Sequence, residues 1–280
     1  VENKFFGVVE GFYCKPYTFS ERLDLIKFLS VIGLDTYVYG PKQDIYHRER
    51  WFSEYPKSKK NEFKELNALS ISNNVRFNYA LSPMSDPQSN KIINKVHSMI
   101  EIGISQFSLF YDDITVPLNK ETAVKQIATA NELLLFLKKK ISKPIVFFCP
   151  TQYHGFKDTE YIKTISDGLD KSIEIFWTGP KIVSKRIDSC HLDKISGITK
   201  RKPLIWDNLF ANDYQPGTIL NFPYRYRASQ IIEKTCGILI NPMNQYQASK
   251  PLIFTAAEFI KAPYKYIPKK AWKKAIAFLN

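Results

Sequence analysis

Eight short apolar runs recur along the chain, most of them followed by a longer run of helical pattern, and few folds accommodate that rhythm. The first is Phe5-Phe-Gly-Val-Val-Glu-Gly-Phe-Tyr13. Others follow at Thr36–Tyr39, Val75–Leu81, Gln106–Tyr111, Pro144–Cys149, Ile173–Trp177, Leu204–Trp206 and Gly237–Ile240. Between them, Phe19–Leu34 carries Leu23, Ile26, Leu29 and Ile32 at helical spacing. Helices are also expected over 92–102, 120–140, 161–169, around 186–195, in a short link at Ile231 and Ile232, over 248–261 and over 271–279. Parallel strands need crossovers of a dozen or more residues, usually helical. Eight such units predict an α/β fold, a closed (β/α)8 or TIM barrel. A doubly wound open sheet is the competitor, but no Gly-x-Gly-x-x-Gly turn follows any strand. No linker or shift of composition divides the chain, so one catalytic domain, 1–280, with a short C-terminal helix is expected.

The remaining bulk properties mainly exclude. With 280 residues, 44% hydrophobic, the chain can fill one barrel core. No run of about 18 apolar residues is present to span a bilayer, and Val1 to Phe6 does not read as a signal peptide. Since the first residue is not Met, a leader or flanking domain removed from this end is compatible with the sequence. Net charge is +13, from 40 Lys and Arg against 27 Asp and Glu. The lysines are scattered in short clusters, as on solvated helix faces, and no nucleic-acid-binding motif accompanies them. Cys14, Cys149, Cys190 and Cys236 have neither zinc nor redox spacing, and no glycosylation sequon occurs. Both facts lean toward a reducing, cytoplasmic compartment. The histidines His47, His97, His154 and His191 are unpaired in spacing, so no metal and no cofactor are expected.

In such barrels chemistry sits where strands end. The strand ends here supply Glu10-Gly11-Phe12-Tyr13, Lys42, Asp112-Asp113, Thr151-Gln152-Tyr153, Thr178-Gly179, Asp207-Asn208 with Asp213, and Asn241. Any one polar residue after a strand is ordinary, since helix N-caps favour Asp, Asn, Ser and Thr. Together, with Tyr39, Tyr111, Tyr153, Trp177 and Trp206 as candidate walls, they make a site for a sugar, which presents hydroxyl edges and apolar faces. Asp112 and Asp113 stand out. Two crowded carboxyls resist ionising together, which leaves one acid and one anion, as glycoside hydrolysis requires. Neighbours on one strand end cannot easily flank a bond from both sides, however. A nucleophile supplied by the substrate, such as the carbonyl of a 2-acetamido group, removes that difficulty.

At these residues the sequence resembles family 84 glycoside hydrolases, the protein O-GlcNAcase and bacterial β-N-acetylglucosaminidase group. The resemblance lies in Gly7-Val-Val-Glu-Gly-Phe-Tyr13, Arg22-Leu-Asp-Leu-Ile-Lys-Phe-Leu29, Ile32-Gly-Leu-Asp-Thr-Tyr37, Tyr46-His-Arg-Glu-Arg-Trp51, Phe110-Tyr-Asp-Asp-Ile114, Cys149-Pro-Thr-Gln-Tyr153, Trp177-Thr-Gly-Pro180, Ile205-Trp-Asp-Asn208, Ala211-Asn-Asp-Tyr214 and Asn241-Pro242. It covers essentially the whole chain. It implies retaining hydrolysis of β-linked N-acetylglucosamine, on glycoprotein or glycan, through an oxazoline. Asp112 would orient the acetamido N–H, and Asp113 would act as general acid and then base. Tyr153 and Asn208 would support the acetamido group and the first Asp. Thr178 and Trp206 would wall the methyl pocket, while Gly11, Lys42, Asp213 and Asn241 would hold hydroxyls. Cys14 departs from the pattern, standing where the family usually has glycine, and Gly40 and Gln43 replace residues commonly Ala and Asp. The alternative is a barrel that binds glycan or glycopeptide without turnover. Oligomeric state is left open.

Overall fold

The computed structural model describes residues 3–279; residues 1, 2 and 280, which the expected catalytic unit includes, lie outside the described residues. Eight parallel strands close into a barrel in chain order: β1 (Phe5–Glu10), β2 (Thr36–Tyr39), β3 (Arg76–Leu81), β4 (Gln106–Phe110), β5 (Ile145–Cys149), β6 (Glu174–Trp177), β7 (Leu204–Asp207) and β8 (Gly237–Ile240). Closure is the pairing of β1 with β8, in which Phe5 lies opposite Gly237 and Val8 opposite Ile240. The helices are α1 (Phe19–Val31), α2 (Lys57–Ser72), α3 (Ser89–Ile100), α4 (Lys120–Lys138), α5 (Glu160–Gly168), α6 (Ser189–Thr199), α7 (Ile231–Lys234), α8 (Tyr246–Lys261) and α9 (Pro268–Leu279). The expected TIM barrel is therefore the fold, and no described helix is long and apolar enough to cross a membrane.

Alternation along the strands sorts the core into two parts. Phe5, Val9, Val38, Ala80, Phe110, Phe147, Phe176, Trp206 and Leu239 fill the barrel interior. Val8, Tyr37, Tyr39, Tyr79, Leu109, Tyr111, Phe148, Ile205 and Ile240 face the helical layer. Tyr39, Tyr111 and Trp177 thus belong to the outer core and are not walls of a site. Asp207 caps the short 3-10 turn Asn208–Phe210, accepting from Leu209 N at 3.0 Å, but the strand ends that precede α1, α4 and α5 are not the caps of those helices. The first turns of α1, α4 and α5 are capped by Thr18, Asn119 and Thr159, several residues further on. That frees Asp112, Asp113 and Thr178 from the N-cap role.

One crossover helix, α2, has no counterpart in the sequence pattern. Its buried face is Phe63, Leu66, Asn67 and Ser70. Two of these are polar, so the apolar stripe is broken; Asn67 is accommodated by donating to the carbonyl of Gly103 at 2.8 Å. Cys149 and Cys236 are the buried thiols expected of a core, whereas Cys14 and Cys190 are exposed.

Candidate active site

Asp112 follows β4 and is 5% exposed. Its Oδ2 accepts from Lys42 Nζ at 2.5 Å. The ammonium is itself 5.4 Å from the ring centre of Phe110 and 5.5 Å from that of Trp206, so its charge is held between aromatic faces and a carboxylate. Asp112 Oδ1 is buried and has no hydrogen-bond partner among the described residues. An unsatisfied buried acceptor costs about 1–3 kcal/mol, more if charged, so this oxygen is poised for a donor from outside the chain.

Asp113 has a left-handed backbone, φ 54°. Successive residues of a regular strand point to opposite faces. The left-handed residue breaks that alternation, and both carboxyls border one cavity. The Asp113 carboxyl is held on both oxygens: Tyr153 donates to Oδ1 at 2.6 Å and Tyr13 to Oδ2 at 2.9 Å. Arg48 donates to its backbone carbonyl at 2.8 Å. Burial, and then the adjacent Asp113, push the phenols of Tyr13 and Tyr153 well above the usual tyrosine range, so both remain proton donors.

The cavity is about 420 Å³, a size that suits a small ligand. Gly11, Tyr13, Asp112, Asp113, Cys149, Tyr153, Thr178, Trp206, Asn208, Asp213 and Asn241 line it, with Ile182, Val183, Ala211 and Tyr214. Every predicted site residue except Lys42 borders it, and Lys42 reaches it through Asp112. Gly11 is required by close approach: a Cβ there would stand 2.1 Å from Trp206 Cζ2. The amides form a chain across the floor. Gly11 N donates to Asn241 Oδ1 at 3.3 Å, Asn241 Nδ2 to Asn208 Oδ1 at 2.9 Å, and Asn208 Nδ2 to the carbonyl of Ile182 at 2.8 Å. Thr178 donates to the carbonyl of Lys181 at 3.0 Å, and Asp213 Oδ2 accepts from Tyr13 N at 2.7 Å.

Several residues sit differently from the expectation. Tyr153 meets Asp113, not Asp112. The Lys42 ammonium is paired with Asp112, and one oxygen of Asp213 is taken by the β1–α1 loop. Glu10 and Asp207 are fully buried on the outer face of their strands. Glu10 is gripped by Arg22 at 2.7 and 2.9 Å and by Tyr37 at 2.5 Å; Asp207 is gripped by Arg227 at 2.6 and 2.8 Å. Gln152 and Thr151 are spent on local bonds to Lys157 and Gln126. His154 is exposed beside Tyr153, and partial burial lowers its pKa. Cys149, Ile182, Val183, Ala211 and Tyr214 were not foreseen as lining residues, nor Tyr13 and Arg48 as partners of Asp113. For Cys149 the signal was parity: it is two residues past the inward Phe147. Among the described residues no group of three His, Cys, Asp or Glu side chains could hold a metal ion.

A TIM barrel with an adjacent pair of carboxylates set in a pocket at the carboxyl ends of the strands is the class that fold and site define. The chain belongs to the β-N-acetylglucosaminidase family, whose model matches residues 6–280. It is 33% identical over 276 residues to the protein O-GlcNAcases of Rattus norvegicus and Mus musculus, a match that takes in 91% of this chain and 30% of each relative. The chain thus spans about a third of the length of these relatives. An Asp-to-Asn mutant of the O-GlcNAc hydrolase of Thermobaculum terrenum superposes with a TM-score of 0.94 at 30% identity, over 100% of this chain and 64% of that one. CpGH84B superposes with a TM-score of 0.89 at 31% identity, over 99% and 51%.

Proposed function

We propose that residues 1–280 act as one catalytic barrel that hydrolyses β-linked N-acetylglucosamine, on protein or glycan, with retention of configuration. The observation that carries this reading is the pair of unlike carboxyls on one strand end. Asp112 is buried with a free Oδ1, and Asp113 is exposed and braced by two phenols. A retaining enzyme with its own nucleophile sets two carboxyls about 5–5.5 Å apart on opposite sides of the bond. Two consecutive residues serve the same side, and the substrate fills the vacancy. The acetamido carbonyl oxygen attacks the anomeric carbon. The glycosidic C–O bond breaks, its electron pair stays with the leaving oxygen, and Asp113 protonates that oxygen. Asp112 Oδ1 accepts the acetamido N–H and balances the positive charge of the forming oxazoline. Water then attacks the anomeric carbon and gives a proton to Asp113, and the acetamide is restored. Lys42 holds Asp112 in place. Trp206 and Thr178 wall the acetyl methyl, and Gly11, Asn208, Asn241 and Asp213 are the polar lining for the ring hydroxyls and acetamido group.

The test is a series of aryl β-glycosides carrying acetyl, fluoroacetyl, difluoroacetyl and trifluoroacetyl on the 2-amino group, with the plain β-glucoside as control. kcat/KM should fall steadily with fluorination, because each fluorine weakens the carbonyl nucleophile, and the glucoside should be inert. A flat series, or rapid cleavage of the glucoside, overturns the substrate-assisted reading.

A further inference from the structure

We infer that Arg48, in the loop after β2, is a positioning residue for the general acid, fixing Asp113 both through its backbone and through Tyr13. This rests on the reading of Asp113 as the acid. Arg48 Nη2 donates to the Asp113 carbonyl at 2.8 Å and Nη1 to the Tyr13 hydroxyl at 3.0 Å. A guanidinium has five donors and no acceptor. The phenol oxygen must therefore accept from Arg48, and its single proton is left for Asp113 Oδ2, 2.9 Å away. Arg48 thus sets the direction of the Tyr13 bond as well as its position. The guanidinium carbon also lies 5.7 Å from the centre of the Tyr13 ring, so the cation packs against the side chain it orients.

The backbone bond has its own purpose. A left-handed non-glycine residue is strained and needs to be held. At Asp113 the φ of 54° is what brings the second carboxyl to the pocket, and Arg48 binds the carbonyl of that very residue. Tyr13 cannot compensate for loss of Arg48 by moving its main chain. Its N–H is bound by Asp213 at 2.7 Å and its carbonyl by Asn244 Nδ2 at 2.5 Å. Arg48 is half-buried. Arg48 makes no ion pair among the described residues, and two arms of its fork go to the acid's carbonyl and the acid's phenol partner. Lysine, with one ammonium, cannot reproduce a planar two-armed contact.

The experiment compares kcat/KM of the full chain on a dinitrophenyl and a phenyl β-N-acetylglucosaminide. The first leaving group needs little protonation; the second depends on the acid. Arg48→Ala should lose about tenfold or more on the phenyl substrate, part of the 10²–10⁴ typical of general acid catalysis, and less than about threefold on the dinitrophenyl one. Arg48→Lys should show the same split. Tyr13→Phe, which removes one oxygen and leaves Arg48 in place, should split in the same direction and carries the test if Arg48→Ala does not fold. In an Asp113→Asn background, Arg48→Ala should add less than about twofold on the phenyl substrate, since both act through one group. Equal losses on the two substrates, no loss, or additive losses overturn the assignment, provided Asp113→Asn itself discriminates between them. If Asp113→Asn does not discriminate, the acid reading falls, and the role of Arg48 falls with it.

Discussion

Arg227→Met probes how the loops behind the acetyl side of the pocket are secured. The Arg227 guanidinium is buried beside Asp207, with Nε at 2.8 Å and Nη2 at 2.6 Å from the carboxylate oxygens. It also donates to the carbonyls of Ser184 at 2.8 Å and Lys185 at 3.1 Å. One side chain therefore joins the end of β7, the β6–α6 loop that carries Ile182 and Val183, and the loop leading into α7. Methionine keeps most of the stem and leaves Asp207 with only Tyr224, at 2.7 Å, and Leu209 N, at 3.0 Å. Removing one partner of a buried ion pair costs about 3–5 kcal/mol. Unfolding entropy near 2.1 cal/mol/K per residue gives about 0.6 kcal/mol/K for a chain of this length, so Tm should fall by about 5–9 °C at neutral pH.

The pH dependence sharpens the same prediction. Burial raises the Asp207 carboxyl, but Arg227, Tyr224 and the Leu209 N–H together outweigh it and hold the group below its ordinary value. A depressed folded value stabilises the protein above the unfolded value of about 3.9, and that contribution is lost as pH falls through the folded one. In Arg227→Met the burial is left without its cation, so acidification toward pH 4 relieves the variant, while the parent keeps its contribution until pH falls below about 3.9. Calorimetry at about pH 7 and about pH 4 should show the gap in Tm narrowing in acid. A neutral-pH loss under about 2 °C, or a gap that widens in acid, refutes the argument.

Gly11→Ala should force Trp206 aside, because the new Cβ meets its ring at 2.1 Å and the indole is backed by Phe110 at 4.9 Å and Phe176 at 5.3 Å. Borne by transition-state binding, overpacking of about 1–3 kcal/mol corresponds to a loss of about 5- to 160-fold in kcat/KM, and unaltered kinetics would show that the ring can yield. Cys14 is left-handed, φ 67°, so Cys14→Gly should stabilise. Relief of about 1–2 kcal/mol offsets or exceeds the added entropy of an unfolded glycine, about 0.4–1 kcal/mol, which gives a Tm higher by up to about 3 °C, and a lower Tm would contradict it.

The barrel was legible because strand and helix periods differ and alternate, and only α2 escaped, its core face being half polar. The strand ends were legible as a polar set but not as two sets. Glu10 and Gly11 are adjacent, as are Trp206 and Asp207, and strand parity sends one of each pair to the pocket and the other to the helices. Inward Val9 and Phe147 carried that information for Gly11 and Cys149. What parity could not give was Asp113, whose left-handed turn breaks the alternation, or the partners of the two carboxyls. Tyr13, Arg48, Tyr153 and Lys42 come from three other loops, and contacts between loops leave no periodic trace.

Asp112 and Asp113 hang from one strand end, joined by a single peptide plane. Groups on separate strands drift apart or together as a barrel breathes. This pair is carried as one piece, so slow distortions of the sheet translate both carboxyls without altering the spacing between them. In the proposed reaction the alignment that remains free to vary is that of the pair against the sugar, which the Gly11–Asn241–Asn208 chain would set from the floor of the pocket. Selection for a different glycan would then reshape that floor and leave the two carboxyls in register.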